Sequence, residues 1–375
     1  ATPAMESFRN AESGKYERVT LSKRVAGYRL PRMHIINMTE ETAEKKRYSP
    51  VSLPLARRIE QTLSRGEQAI LFINQRGFSR CIVCPVCGKP VRCSHCDITL
   101  TYHKTGRFLC HYCGRSRKAF TRCPACGFSG LKRIGSGTQK IEDELNACFP
   151  GATVRRVDSD SMTSKTAYRS VLTEFARNRI HILVGTQIVA KGLDFPNVTT
   201  VGILSIENIL NLPDFRSPER TFQLISQVSG RAGRGAREGH VFLEVYDPAH
   251  YAVQCAAEHN YRKFVSIEES FRRELSYPPF GSLVRIVIEG PRQKEVSDHA
   301  AQTASRLEKT SFPRDVIILG PAEAPLSYIN KRYRYHIILK VPDKIPRNGL
   351  FRDYGIFKSG KNIKISIDVD PVSML

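Results

Sequence analysis

In the stretch QVSGRAGRG, the polar side chains Gln227, Arg231 and Arg234 stand at i, i+4 and i+7. On a helix that spacing lines all three along one face. Two guanidiniums a turn apart suit a target that gains negative charge as it reacts, a phosphoryl group in transfer. A second group is denser. Eight of the eleven cysteines form four C-x-x-C pairs: Cys84/Cys87, Cys93/Cys96, Cys110/Cys113 and Cys123/Cys126. Each pair offers two thiolates to a tetrahedral ion, so the set makes two four-cysteine zinc sites. A redox motif uses one such pair, not four in series. A shell closed by four thiolates leaves no position for water, so these zinc ions are structural. The outer pairs read CPVCG and CPACG, a matched set that favours nesting. Cys84 and Cys87 then join Cys123 and Cys126, around an inner site of Cys93, Cys96, Cys110 and Cys113. Cys81 is a competing ligand three residues before Cys84, Cys148 and Cys255 are spare, and His95, His103 and His111 find no vacancy.

These groups need a frame. Apolar runs at 69–73, 180–184 and 198–204, with a weaker one in ATVRRVDSD and a last one in GHVFLEV, read as strands. Between them GTQKIEDELNACF and TAYRSVLTEFARNR carry helical spacing. Strands alternating with helices imply a parallel sheet whose working residues sit at the carboxyl ends of strands. Asn74, Gln75 and Arg76 occupy one such end; Thr186 and Gln187 occupy another, ahead of Lys191, Gly192 and Asp194. The cysteine block interrupts this sheet after its first strand. Beyond FRRELSYPPFGS the pattern resets: LVRIVIEG reads as a strand, EVSDHAAQTASRLEKT as a helix, and DVIILGP, YRYHIILKV and NIKISIDVDP as further strands, a small α+β domain.

Charge names the class of partner. Lys and Arg outnumber Asp and Glu by 58 to 36 in 375 residues, for a net charge of +22. The excess runs from end to end, which fits an extended polyanion, nucleic acid. Around the cysteines, Lys89, Arg92, Lys104, Arg107, Arg115, Arg117, Lys118 and Arg122 interleave with Tyr102, Phe108 and Tyr112. Basic and aromatic side chains in that mixture suit strand ends or single-stranded DNA. No apolar run approaches the ~18 residues that span a bilayer, no signal peptide opens the chain, and the cysteine usage fits a reducing cytoplasm.

LFINQRG, GTQIVAKGLDFPNV and QVSGRAGRG resemble motifs IV, V and VI of superfamily-two helicases. With a double-zinc insertion after motif IV, the chain resembles one family among them, the bacterial replication-restart helicases of the primosomal protein N′ type. RRVDSD, DFRSPER, ILGP and RYRYHIIL extend the match from residue 1 to the closing DVDP. The resemblance agrees with nested zinc pairing and implies a RecA-like second helicase lobe. In such enzymes ATP is held with Mg2+ between two α/β lobes, and motif VI arginines reach its γ-phosphate. It thus implies Arg231 and Arg234 as finger residues and Gln227 as a nucleotide-side contact. Gly192 and Asp194 become elements between the lobes, and Asn74, Arg76, Thr186 and Gln187 track DNA. In NKRYRYH, Arg334 is implied in DNA binding, and Arg332 matches an arginine that holds the acidic tail of single-stranded-DNA-binding protein. His336 stands where the family carries glutamine.

The expected domains are therefore a remnant of the first lobe with its linker (1–50), the RecA-like lobe (51–83 and 127–275), a zinc-binding region (84–126) and a C-terminal α+β domain (276–375). Neither phosphate loop nor magnesium carboxylates are expected here. GIFKSGKN puts Asn362 where Ser or Thr should bind magnesium and reads as a basic hairpin turn. IEDEL, around Asp143 and Glu144, starts an amphipathic helix. ATPAMES resembles the end of motif III, so the family's ATP-binding lobe is expected upstream and this chain alone is expected to be inactive. The leading expectation is the C-terminal part of an ATP-dependent DNA helicase in the bacterial cytoplasm, associated with the nucleoid. It would recognise branched forks and start primosome assembly with single-stranded-DNA-binding protein, other primosome proteins and the replicative helicase loader. The alternative is a non-catalytic zinc-containing DNA-binding module; an RNA helicase is a third reading, weakened by the zinc block.

Overall fold

The structure is a computed structural model that describes residues 2–21, 29–45, 51–74, 84, 86–87, 89–94, 99–103, 106–118, 122–129, 138–158, 162, 164–186, 195–234, 237–310, 312–345, 357, 360 and 362–375. Before the cysteines lie α1 (Met5–Glu12), β1 (Arg32–Asn37), α2 (Met38–Lys45), α3 (Leu53–Ser64) and β2 (Gln68–Ile73). Three short strands follow, β3 (Thr101–His103), β4 (Arg107–Leu109) and β5 (Ser116–Lys118). The sheet resumes with α4 (Thr138–Cys148), β6 (Val154–Val157), α5 (Lys165–Ala176), β7 (Ile182–Gly185) and β8 (Val198–Leu204). It closes with α6 (Glu207–Leu210), α7 (Ser217–Ser229), β9 (His240–Val245), α8 (Tyr251–Ala257) and α9 (Tyr261–Glu274).

Strands pair in the order β1-β9-β8-β2-β7-β6, and every pair is parallel. The central strands β2, β7 and β8 are buried at every position because helices cover both faces, which is why they read as mainly apolar runs without polar alternation. One side packs Phe175, Phe222 and Phe264, the other Leu55, Ile59, Ile141 and Leu145. Helix starts follow local chemistry: the hydroxyls of Ser52 and Ser164 accept from the amides of Leu55 and Ala167.

The first fifty residues depart from the expected leader. β1 is an edge strand of the lobe itself, in register with β9 from Arg32↔His240 to Asn37↔Val245. α1 also docks on the lobe: Met5 is buried, its amide donates to Glu219 Oε1 (3.1 Å), and Arg216 donates to Glu6 Oε1 (2.8 Å). An edge strand exposes half of itself to water, so RMHIIN lacks the long apolar signature of its neighbours.

The C-terminal unit contains β10 (Gly281–Gly290), α10 (Gln293–Glu308), β11 (Ile317–Ile329), β12 (Arg332–Pro342) and β13 (Lys364–Val369). Its antiparallel sheet runs β11-β12-β10-β13, with α10 packed on one face through Val296, Ala300, Ala304 and Leu307. GIFKSGKN falls mostly outside the described residues. β3, β4 and β5 form a small antiparallel sheet inside the cysteine block. That block does not hang free: Val91, Leu100, Phe108 and Tyr112 share a core with Phe215 of the lobe and Leu283, Ile338 and Met374 of the C-terminal unit. Among the described residues no helix is long and apolar enough to cross a membrane.

Candidate functional site

The Cys110 and Cys123 knuckles are each one turn of chain. The Cys110 amide donates to Arg115 O and the Gly114 amide to Cys110 O; Cys123 repeats this with Phe128 and Gly127. Gly114 and Gly127 have φ of +73° and +75°, where a Cβ is costly. These turns bring Cys84, Cys87, Cys123 and Cys126 into one cluster and Cys93, Cys110 and Cys113 into another, ligand atoms within 4.8 Å of one another. That is the nested arrangement; Cys96 and Cys81 lie outside the described residues. Sulfur separations are 3.7 Å for Cys84–Cys126, 3.6 Å for Cys87–Cys123 and 3.8 Å for Cys93–Cys113. A tetrahedron with Zn–S of ~2.3 Å has an edge of ~3.8 Å, so the donors fit zinc. Burial pushes the Cys87 thiol up to about 12 and the Cys113 thiol up to about 11. At Cys123 burial also raises the thiol, but hydrogen bonds with the amides of Ala125 and Cys126 and with the Cys87 and Cys126 thiols together outweigh it and bring it to about 7.

The inner cluster is tied to the C-terminal sheet by histidines. His111 Nδ1 donates to Glu323 O (2.6 Å), and His336, fully buried on β12, donates from Nε2 to His111 O. His336 Nδ1 accepts from Arg285 Nε (3.2 Å). A ring that accepts at one nitrogen and donates at the other is neutral. Burial and then the charge of Arg285 drive its pKa down to about 3. Tyr112, also fully buried, accepts from the Phe215 amide and completes the junction with Phe215 stacked on Tyr277 at 4.7 Å. Sequence reasoning reaches His111 only as a spare ligand and His336 only as a departure from the family's glutamine. Their meeting has no local signal, because the contacts join segments more than a hundred residues apart.

The three residues of QVSGRAGRG are not on one helix. α7 stops at Ser229, with Gln227 exposed in its last turn. Arg231 and Arg234 follow in a compact turn: the Arg231 amide donates to Val228 O, Arg234 Nε donates to Gly230 O (2.9 Å), and both side chains are half-buried. The Gly233 amide reaches Val198 O, and a Cβ on Gly233 would lie 2.7 Å from the Gly239 nitrogen. This contact between two glycine backbones, with Gly233 at φ +66°, fixes the turn against the amino ends of β8 and β9. The arginine turn thus lies by the amino ends of these strands, whereas Asn74 and Thr186 follow the carboxyl ends of β2 and β7.

At the carboxyl ends, Asn74 is buried, its carbonyl accepting from Asn208 Nδ2 (3.0 Å), so it does not face a surface where DNA could lie. Thr186 is half-buried at the end of β7. Arg76, Gln187, Gly192 and Asp194 lie outside the described residues. On β12, Tyr333 and Tyr335 pack towards the α10 core and the arginines take the other face, as alternation requires. Arg332 Nη2 donates to Glu289 O (3.0 Å) and Asn362 O (3.2 Å), with its Nε 3.4 Å from the Glu289 carboxylate. Arg334 Nη1 donates to Leu326 O (3.3 Å), with its Nε 3.9 Å from the same carboxylate. Both arginines are engaged within the sheet.

DFRSPER supplies a further hub. Arg272, 2% exposed, donates to Glu268 (2.7 Å), Glu219 (2.6 Å) and Pro278 O (3.0 Å). Asp214 accepts from Arg220 (2.8 Å) and from the Met374 amide (3.2 Å).

A parallel-sheet lobe carrying a cysteine-rich zinc block defines a helicase-type second lobe, and family models divide the chain in that way. The helicase conserved C-terminal domain matches residues 132–236, the PriA DNA helicase Cys-rich region residues 93–118, and the primosomal protein N C-terminal domain residues 273–372. Over the length it covers, the chain belongs to the replication restart protein PriA family. It is 41% identical over 383 residues to the replication restart protein PriA of Bacillus subtilis, covering 100% of this chain and 47% of that protein. With the protein of the same name from Synechocystis the identity is 38%, covering 100% and 46%. The chain thus spans about half the length of these relatives. Among solved structures, S. cerevisiae Dbp5 bound to RNA and ADP BeF3 aligns with 73% of this chain and 54% of that chain, at 14% identity and a TM-score of 0.35.

Proposed function

We propose that this chain is the C-terminal part of an ATP-dependent DNA helicase that restarts replication at stalled or repaired forks. The observation that carries the reading is the alignment of the whole of this chain with about half of each replication restart protein, joined to a thiolate region wedged between the lobe and the C-terminal sheet. In this reading two zinc ions stiffen the wedge and do no chemistry. Arg231 and Arg234, with Gln227 beside them, face the ATP held with Mg2+ by a companion lobe, and Gly192 and Asp194 lie at the interlobe cleft. An arginine aligned to the developing charge is worth about 10³–10⁵ in rate. The glycine contact at Gly233 and Gly239 keeps the Arg234 backbone in place before nucleotide arrives.

DNA is met by the basic surface, with Thr186 at the carboxyl end of β7 and Arg334 on the C-terminal sheet, and with Gln187 and Arg76 as further contacts. Arg332 and the C-terminal sheet serve single-stranded-DNA-binding protein, and the assembled enzyme recruits other primosome proteins and the helicase loader in the bacterial cytoplasm. The test joins the chain to a first lobe bearing the phosphate loop. DNA-stimulated ATP hydrolysis should appear and fall by about 10³ in Arg234→Ala, while the chain alone hydrolyses none. Hydrolysis unchanged by Arg234→Ala would remove the finger role.

A further inference from the structure

A cavity of about 270 Å³ opens where the zinc region meets α8 and α9. We infer that it takes one unpaired nucleobase from a single DNA strand, which deepens the DNA-binding reading and rests on it. The walls are aromatic. Phe215 and Tyr277 are stacked in parallel, and Tyr251 and Phe271 lie 5.5 Å apart, all four lining the space. Phe271 keeps 46% of its surface exposed, a large apolar ring left in water beside an opening. The volume falls below the ~300–1,000 Å³ of sites for larger organic ligands, so a single planar ring system is the right size.

The polar groups narrow the occupant further. Glu268 is satisfied by Tyr251 Oη and Arg272, and Asp214 by Arg220, so neither acid leaves an open claim on a cation. His250 also lines the space; its Nδ1 accepts the Ala252 amide (3.2 Å) as the cap of α8. Burial and the charge of Arg92 hold the imidazole neutral, its pKa lowered to about 4, so the hydrogen sits on Nε2. An N–H donor among aromatic walls suits the carbonyl edge of a base. Arg92 stands on the zinc-region side, within electrostatic reach of His250 and Tyr251. The zinc region also carries the exposed Arg107, Arg115 and Arg117 on or beside its short strands, basic side chains of the kind that track a phosphate chain. Aromatic faces with a basic track are the usual means of holding single strands without sequence preference.

The test uses the zinc-loaded chain and three probes: a short oligothymidylate, an abasic strand of equal length, and a duplex. Phe271→Ala should bind the oligothymidylate about tenfold more weakly than wild type and leave the abasic strand and the duplex unchanged. Phe271→Tyr should restore the loss. Independently of any variant, a 2-aminopurine in the strand should change its fluorescence on binding wild type. Equal affinity of wild type and Phe271→Ala for oligothymidylate, an equal loss on the abasic strand, or a silent 2-aminopurine would each overturn the pocket. Failure of wild type to bind any probe would instead remove the DNA-binding reading beneath it.

Discussion

The two thiolate clusters are built from the same knuckle and live in different surroundings. The outer one carries exposed Cys126 and is flanked by Val86 and Phe128, both more than a third exposed. The inner one has Cys93 and Cys110 buried and belongs to a core shared by the lobe, the zinc region and the C-terminal sheet. The difference shows that a metal site can hold a peripheral loop or hold a molecule together, depending on which side chains its turns present. The CPVCG and CPACG knuckles are the more alike in sequence, yet the inner pairs carry the architecture.

The largest expected effect is Cys110→Ser. Loss of the inner ion should lower stability by on the order of 4 kcal/mol and separate the melting of the C-terminal sheet from that of the lobe, seen by calorimetry. Next comes His336→Ala, which strips a partner from Arg285 and from His111 O and should cost about 2 kcal/mol in urea unfolding. His336→Gln should recover most of it, because an amide also accepts on one atom and donates from another. A recovery no better than alanine would show that the junction depends on ring packing instead.

The same pair of proteins gives a pH test. His336 has its pKa depressed to about 3 when folded, against an ordinary 6.5. The unfolded chain therefore binds the extra proton first. The contribution is full above pH 6.5 and is lost as pH falls from there towards 3. Between pH 6 and 5, wild type should lose about 1.4 kcal/mol per pH unit more than His336→Gln. Parallel curves would mean that the ring is not neutral in the fold.

Smaller effects separate the knuckles. Gly114 and Gly127 share a positive φ, but a Cβ on Gly114 would meet Pro321 O at 2.9 Å while one on Gly127 meets open space. Gly127→Ala should cost about 1–2 kcal/mol of backbone strain, and Gly114→Ala measurably more; equal melting shifts would erase the distinction. Smallest for global melting should be Cys126→Ser, with zinc content falling from two ions to one and the main transition nearly unmoved.

Much of this is legible from sequence. β8 spans 198–204, the same bounds as its largely apolar run, because a strand covered on both faces is mostly apolar and its buried Thr199 and Thr200 hydroxyls are hydrogen-bonded. The cysteine nesting is written in spacing and in paired knuckles. β1 escapes because its partner β9 lies some two hundred residues later and an edge strand is only half covered. The arginine turn reads as helix only when periodicity is weighed above Gly230 and Gly233, which announce a helix end. The histidine junction leaves no local trace, since its members meet only after three separate segments have folded.

The Arg272 guanidinium answers to α7, to its own helix and to the Pro278 carbonyl on the way into the C-terminal unit, while Glu219 on α7 also receives the Met5 amide. One cation thus bolts the entry helix, the lobe and the exit strand into a common frame. The passage from 272 to 281 is tethered to the lobe through the Pro278 carbonyl, so the last sheet is expected to travel with the lobe when the lobe is displaced.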